Sequence, residues 1–303
     1  LTSVFIFPGQ GSQKAGMGKD LYDNFEAAKE IFAKADRALG FELSKLCFEG
    51  PDDALRSTEI AQPAILTVST AAFMSLGKTP KAAAGHSLGE YSALVASGAL
   101  SFEDTVRIVH LRGKFMQEAV PAGHGAMSAV LGLDREKLAA CCAAASSKGV
   151  VEPANFNSPG QIVISGTKEG VEEAGRLCKE AGAKKIIPLA VSAPFHCSLM
   201  KPAADKLAVE LDKTGFKSPS FPVYSNVTAS PQTDAAKIKE LLVKQVTSPV
   251  LWEDTLKNLS LNGFDTFVEI GCGKILSGLV KKTLENAKIY NVEDSVSAKG
   301  AVL

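Results

Sequence analysis

The spacing of apolar positions changes several times along the chain, and each change marks an element. Ser3 to Phe7 (SVFIF) is a continuous apolar, β-rich run that stops at Pro8-Gly9-Gln10-Gly11, a loop signal. From Asp20 to Leu39 the residues Leu21, Phe25, Ala28, Ile31, Phe32 and Ala35 fall at helical spacing, which predicts one amphipathic helix. Pro63 opens a second, apolar helix that reaches about Leu76. Ala82 to Gly85 reads as a short strand and Leu88 to Ser97 as the helix after it. Ser101, with Asp104 following it, is an N-cap for a helix running to about Val120.

Beyond the break at Gly123 to Gly125 the texture differs. Strand (Ala126–Leu131), helix (Arg135–Ser147), strand (Val150–Ala154), strand (Gln161–Ser165), helix (Gly170–Ala181) and strand (Lys185–Leu189) follow in that order. This β-α-β-β-α-β order is the split βαβ, or ferredoxin-like, unit. After Pro194 the longer pattern resumes, with a helix from Ser198 to Thr214 and a strand at Pro222 to Ser225. Helices start at Ala235 and Trp252, a strand spans Thr266 to Ile270, a helix Lys274 to Glu285, and a last strand Lys288 to Val292. Ser295 to Leu303 reads as a frayed tail. Alternating strands and helices predict a mostly parallel sheet covered on both faces. The expected fold class is α/β, with a body in two segments (1–123 and 194–303) interrupted by a small ferredoxin-like α+β subdomain (124–193).

Composition narrows the chemistry by exclusion. The 303 residues are 46% apolar and 22% charged, as in an ordinary globular protein. Lys plus Arg equals Asp plus Glu, 33 each, so no global field recruits nucleic acid or an anionic membrane. Cys47, Cys141, Cys142, Cys178, Cys197 and Cys272 form no C-x-x-C pair, which predicts reduced thiols and a cytoplasmic setting. The apolar stretches around Ala61 to Met74 and Tyr91 to Leu100 fall short of a membrane span. Leu1 to Phe7 runs directly into structure, so no signal peptide is expected.

One stretch carries a candidate nucleophile: "AAAGHSLGEY", residues 82 to 91. Strand, G-x-S-x-G, then helix is the setting of a nucleophile elbow and makes the body α/β-hydrolase-like. Gly85 and Gly89 remove side chains that would clash at a tight turn. Ser87 then stands at a helix N-terminus, where Leu88 N–H can point at a developing oxyanion. A serine needs a base, and the chain has four histidines. His86 projects away from its neighbour at a sharp turn, His110 lies inside an apolar helix, and His124 sits in the break between segments. His196, in "SAPFHCSLM", follows the serine in chain order and is the candidate base. No acid stands in a loop after a body strand between Ser87 and His196, which leaves a main-chain carbonyl as one way to orient the imidazole.

Six motifs in one order carry a resemblance: "FPGQGSQ" (7–13), "GHSLGEY" (85–91), "LRGKFMQEA" (111–119), "NFNSPGQIVISG" (155–166), "FHCSLMKPA" (195–203) and "QVTSPVLWED" (245–254). Over nearly its whole length the chain resembles the malonyl-CoA:acyl carrier protein transacylase family, in the free-standing form of type II fatty acid synthesis. The resemblance implies a malonyl ester on Ser87, with His196 as general base and then general acid. It implies an oxyanion hole from the backbone N–H groups of Gln10 and Leu88, and a Gln245 carbonyl that orients His196. Arg112 would hold the malonyl carboxylate through paired hydrogen bonds. Phe195 would exclude bulkier branched acyl groups, and Asn155 would lie near the site, with Asn157 an alternative for that position.

The resemblance further implies coenzyme A thioesters and acyl carrier protein as partners, no nucleic acid, no membrane, no metal and no redox cofactor. A monomer is the default expectation. Lys184-Lys185 and Lys281-Lys282 are candidate docking charges for an acidic carrier protein. Two alternative activities share the Ser–His site: a discrete polyketide-pathway acyltransferase and a serine acyl hydrolase. A non-catalytic carrier-binding module is disfavoured by the presence of both Ser87 and His196.

Overall fold

A computed structural model describes residues 3–191 and 193–300. The strands, in chain order, are β1 (Ser3–Phe7), β2 (Ala82–Gly85), β3 (Gly125–Leu131), β4 (Val151–Ser158), β5 (Gln161–Thr167), β6 (Lys185–Pro188), β7 (Val223–Tyr224), β8 (Pro231–Gln232), β9 (Thr266–Ile270) and β10 (Lys288–Val292). They form two sheets. The larger has the order β10-β9-β1-β2-β7-β8, with every pair parallel except the terminal β7–β8.

β1 and β2 are buried at every position, so neither alternates in polarity. Alternate β1 side chains enter different cores. Phe5 and Phe7 pack with the helices Glu26–Leu39, Thr58–Leu76 and Phe102–Glu118. Val4 and Ile6 pack with Trp252, Leu256, Leu276 and Val280 on the opposite face. Helices therefore cover both faces, as parallel strands require.

The smaller sheet is antiparallel, in the order β4-β5-β3-β6. Its first strand in sequence lies between the third and the fourth, the arrangement of the split βαβ unit. Helices Arg135–Ala145 and Lys168–Glu180 cover one face over a core that includes Val130, Leu138, Ile162 and Val171. Met127, Ala129, Ala154 and Val163 on the other face join the main core. The chain leaves and re-enters the body side by side, since a Cβ on Gly125 would lie 2.3 Å from Pro194 Cδ. Val250 N–H donates to Ala154 O at 2.9 Å, and Phe156 N–H donates back to Val250 O at 2.9 Å. Arg135 adds ion pairs to Glu253 and Asp254 at 3.0 and 2.8 Å.

Three local expectations need correction. The helix expected over Asp20 to Leu39 is two helices, Lys19–Asn24 and Glu26–Leu39, because Phe25 turns extended at φ −133°. Pro63 lies inside the helix Thr58–Leu76 and does not open it. Proline lacks the N–H that would reach the carbonyl of Glu59, and His110 Nδ1 takes that carbonyl instead at 3.0 Å. The expected frayed tail contains a helix, Ser295–Gly300. Asp294 caps it through Ser297 N–H at 2.8 Å, and Asp20 accepts from Ser295 N–H at 2.6 Å. The remainder of that tail, residues 301–303, lies outside the described residues.

Candidate active site

The nucleophile elbow is built by close approach of backbones. A Cβ on Gly85 would sit 1.9 Å from the Gly89 carbonyl carbon and oxygen, and one on Gly89 would sit 2.0 Å from Phe7 O. Only glycine lets β1, β2 and the helix Leu88–Ala96 meet so tightly. Between them Ser87 adopts φ 51° and ψ −105°, a region unfavourable for an L side chain. Asn226 holds that conformation from the turn that follows β7. Its Oδ1 accepts from Ser87 N–H at 2.7 Å, and its Nδ2 donates to Gly85 O at 2.7 Å.

His196, also left-handed at φ 60°, returns from the smaller sheet to face the serine. Its Nε2 lies 2.7 Å from Ser87 Oγ, and its Nδ1 lies 2.8 Å from the carbonyl oxygen of Gln245. A carbonyl can only accept, so the proton belongs on Nδ1, and Nε2 is free to accept from the serine hydroxyl. Burial, and then the neighbouring Arg112 charge, lower the His196 pKa to about 3. The imidazole is therefore neutral, the form a general base starts from.

Arg112 is 1% exposed on the helix Phe102–Glu118. Nη1 donates to Gln62 Oε1 at 2.7 Å, while Nη2 donates to Gln245 Oε1 at 2.9 Å and to Ser87 Oγ at 3.2 Å. Its guanidinium carbon is 5.4 Å from the centre of the Tyr91 ring. Among the described residues, no carboxylate comes within ion-pair distance of it. Burial pulls its pKa down, opposed by Tyr91 and the more distant Glu90. A buried cation held by two neutral amides has the charge and geometry to bind an anion.

Ser87, His196, Arg112, Gln10, Leu88, Phe195 and Asn155 all border one cavity of ≈ 330 Å³. Gln245 stands behind it, with its carbonyl toward His196 and its amide toward Arg112. Among the described residues, neither Gln10 N–H nor Leu88 N–H donates to a protein acceptor. Asn157 goes elsewhere, with its Oδ1 2.8 Å from His86 Nε2, and the His86 ring rests against Trp252. A second cavity of ≈ 220 Å³ shares Gln10, His86, Asn155 and Leu189 with the first and extends toward Ile275 and Leu279.

Gln62, Glu90 and Asn226 are the polar residues of this neighbourhood that sequence reasoning missed. Gln62 stands beside Pro63 in an apolar helix, and that polar intrusion was the one available signal. Glu90 and Asn226 gave none. Among the described residues, no group of His, Cys, Asp and Glu side chains is placed to hold a metal ion. None of their helices is long and apolar enough to cross a membrane.

Comparison with known proteins gives a consistent picture. Residues 4–299 match the family described as acyl transferase domain. The malonyl CoA-acyl carrier protein transacylase of Bacillus subtilis is 53% identical over 303 residues, covering 99% of this chain and 96% of the relative. The crystal structure of an acyl carrier protein S-malonyltransferase from Vibrio cholerae superposes with a TM-score of 0.96 at 46% identity, covering 99% of each chain. A malonyl transacylase in complex with a type II polyketide synthase acyl carrier protein gives a TM-score of 0.97 at 45% identity, covering 100% of this chain and 99% of that one.

Proposed function

Since this chain belongs to the acyl transferase family, as a malonyl CoA-acyl carrier protein transacylase, we propose that it moves malonyl from coenzyme A to the phosphopantetheine thiol of acyl carrier protein through an ester on Ser87. The observation that carries this reading is Arg112 Nη2 at 3.2 Å from the nucleophilic oxygen. The two carbonyl carbons of a malonyl group are separated by one methylene. A receptor for its free carboxylate must therefore lie beside the serine, and a neutral acyl group would have no use for a buried guanidinium there.

In the first half-reaction, Ser87 Oγ attacks the thioester carbonyl and passes its proton to His196 Nε2. The Gln245 carbonyl, accepting from Nδ1–H, stabilises the imidazolium that forms. The tetrahedral oxygen is held by the N–H groups of Leu88, at a helix N-terminus, and Gln10. Collapse breaks the C–S bond, and His196 returns the proton to the departing thiolate. The second half-reaction runs the same steps in reverse, with the carrier's thiol giving its proton to His196. Nucleophile, base, oxyanion donors and anion receptor are all side chains or backbone groups, so the reaction as written draws on no metal or redox cofactor. All six cysteines are free and buried, in keeping with the cytoplasmic setting we assign.

Two neighbouring cavities with lining residues in common support transfer over hydrolysis. One borders Ser87, and the other extends between the smaller sheet and the helix Ile275–Thr283, which suits a long pantetheine arm in a site that limits water. On the same reading, residues 1–123 and 194–303 form the catalytic body and residues 124–193 an inserted subdomain that walls the cleft. Phe195 beside the base narrows the acyl pocket against branched groups.

Mass spectrometry of the intact protein and its peptides after brief incubation with malonyl-CoA tests the proposal. Malonyl mass on the Ser87 peptide, discharged by acyl carrier protein and absent in Ser87→Ala, is the expected result. Free malonate without an adduct would replace the transferase with a hydrolase. Discharge only to polyketide carrier proteins would place the enzyme in that pathway.

A further inference from the structure

Behind the site lies a buried carboxylate that the reaction as written does not use. Glu90 is 3% exposed in the first turn of the helix after the nucleophile. Its Oε2 accepts from Gln245 Nε2 at 2.8 Å and from Asn226 N–H at 3.0 Å. Each of these partners is 0% exposed and touches the catalytic groups directly.

We propose that Glu90 is a positioning residue whose single oxygen, Oε2, sets the orientation of the Gln245 amide against Arg112 and anchors Asn226 against the nucleophile elbow. This rests on the malonyl-transfer reading above. The Gln245 side chain could in principle sit either way round. Its Nε2 is surrounded by acceptors: Glu90 Oε2, Ser87 O at 3.1 Å and Asn226 Oδ1 at 3.3 Å. That leaves Oε1 to accept from Arg112 Nη2 at 2.9 Å. Without the Glu90 acceptor, Nε2 loses its shortest bond and keeps only the longer ones to Ser87 O and Asn226 Oδ1, so the amide is held less firmly against the guanidinium and the anion receptor is disturbed. The second bond acts on the serine. Asn226 Oδ1 holds the strained Ser87 N–H, and Glu90 holds the Asn226 backbone.

Both bonds end on Oε2, so Oε1 is free to carry a proton, or to be replaced by an amide nitrogen, without loss of either. The role needs an acceptor and no charge. Burial agrees with this, raising the Glu90 pKa to about 7 against the opposing pull of Asn226, Gln245 and Arg112.

The experiment compares Glu90→Gln with Glu90→Ala for Ser87 acylation by malonyl-CoA and by an uncharged acetyl ester. Glu90→Gln should keep malonyl loading within about threefold of the wild type. Glu90→Ala should lose about a hundredfold with malonyl-CoA and about tenfold less than that with the acetyl ester, because the receptor is disturbed along with the elbow. Equal losses for the two substrates in Glu90→Ala would reduce Glu90 to general structural support and overturn the proposal. Losses in Glu90→Gln as large as in Glu90→Ala would overturn it as well, by showing that charge is what matters. If Glu90→Ala gives no cooperative melt, Glu90→Gln decides alone: near-wild-type malonyl loading supports the acceptor role, and a loss above about tenfold overturns it. Failure of the wild-type protein to take up malonyl at all would instead overturn the transfer reading and, with it, the premise for Glu90.

Discussion

Arg112 and His196 carry opposite demands on the same few ångströms of space. On the proposed mechanism, Arg112 must stay charged for a carboxylate, while His196 must stay uncharged to act as a base. Their proximity helps the second demand, because the guanidinium adds to burial in lowering the imidazole pKa to about 3. The sign follows directly. A histidine of lowered pKa remains neutral as pH falls below the ordinary value of about 6.5, so the unprotonated form that acts as base is lost only near the lowered value. kcat/KM for malonyl loading, which reports the free enzyme, should fall less than about threefold between pH 8 and pH 5.5. An ordinary histidine would lose about tenfold over that range, and a loss of that size would show that His196 is not depressed. Arg112→Ala should lower malonyl kcat/KM by about a hundredfold, the weight of two charge-assisted hydrogen bonds, and spare acylation by an acetyl ester. Malonyl loading that survives Arg112→Ala would remove this residue from the receptor.

Close backbone packing at the β1–β2–helix junction makes the elements here less tolerant than their small residues suggest. Gly89→Ala places a methyl group 2.0 Å from Phe7 O, where only backbone can move. The cost should be about 3 kcal/mol or more in denaturant unfolding, together with loss of Ser87 acylation. Gly278, in the helix Ile275–Thr283, meets nothing within 4 Å of an added Cβ. Gly278→Ala should therefore stabilise the protein by about 0.5–1 kcal/mol through helix propensity alone. Equal effects at the two glycines would mean that the junction is looser than its geometry indicates. The helix Thr58–Leu76 shows the same interdependence: the carbonyl that Pro63 leaves unpaired is taken by His110 from a neighbouring helix. His110, one of the four histidines in the chain, thus repairs a helix.

Across the whole molecule the balanced charge leaves partner recognition to local patches. Lys281 and Lys282 end the helix that borders the second cavity, and Lys282 Nζ reaches Gln161 Oε1 on the smaller sheet at 3.2 Å. A basic pair at that edge suits an acidic carrier protein delivering its arm between the two sheets. Reversing both charges, as Lys281→Glu with Lys282→Glu, should slow discharge to acyl carrier protein by about tenfold at low ionic strength and far less at high salt. Loading from malonyl-pantetheine, which lacks the carrier, should not change. A discharge rate indifferent to both charge and salt would move docking away from this helix.

The sequence by itself determined what depends on near neighbours. Short apolar, β-rich runs bounded by turn signals placed β1, β9 and β10, and the split βαβ order of the smaller sheet was visible because each of its elements has a local signature. The G-x-S-x-G elbow was legible for the same reason, since its glycines are required by a turn only a few residues long. Chain order singled out His196 as the candidate base, and motif resemblance then supplied Arg112, Gln10 and Gln245, all without their distances. Only the tertiary structure decided which polar groups share the buried space behind them. Gln245 meets the Ser87 carbonyl across 158 positions of chain, and Asn226 meets Gly85 across 141. Periodicity says nothing at such separations. Glu90 sits in an apolar helix like any solvated carboxylate until the fold closes over it. Its burial, and the single oxygen that serves two partners, follow from the packing of elements that no local pattern brings together.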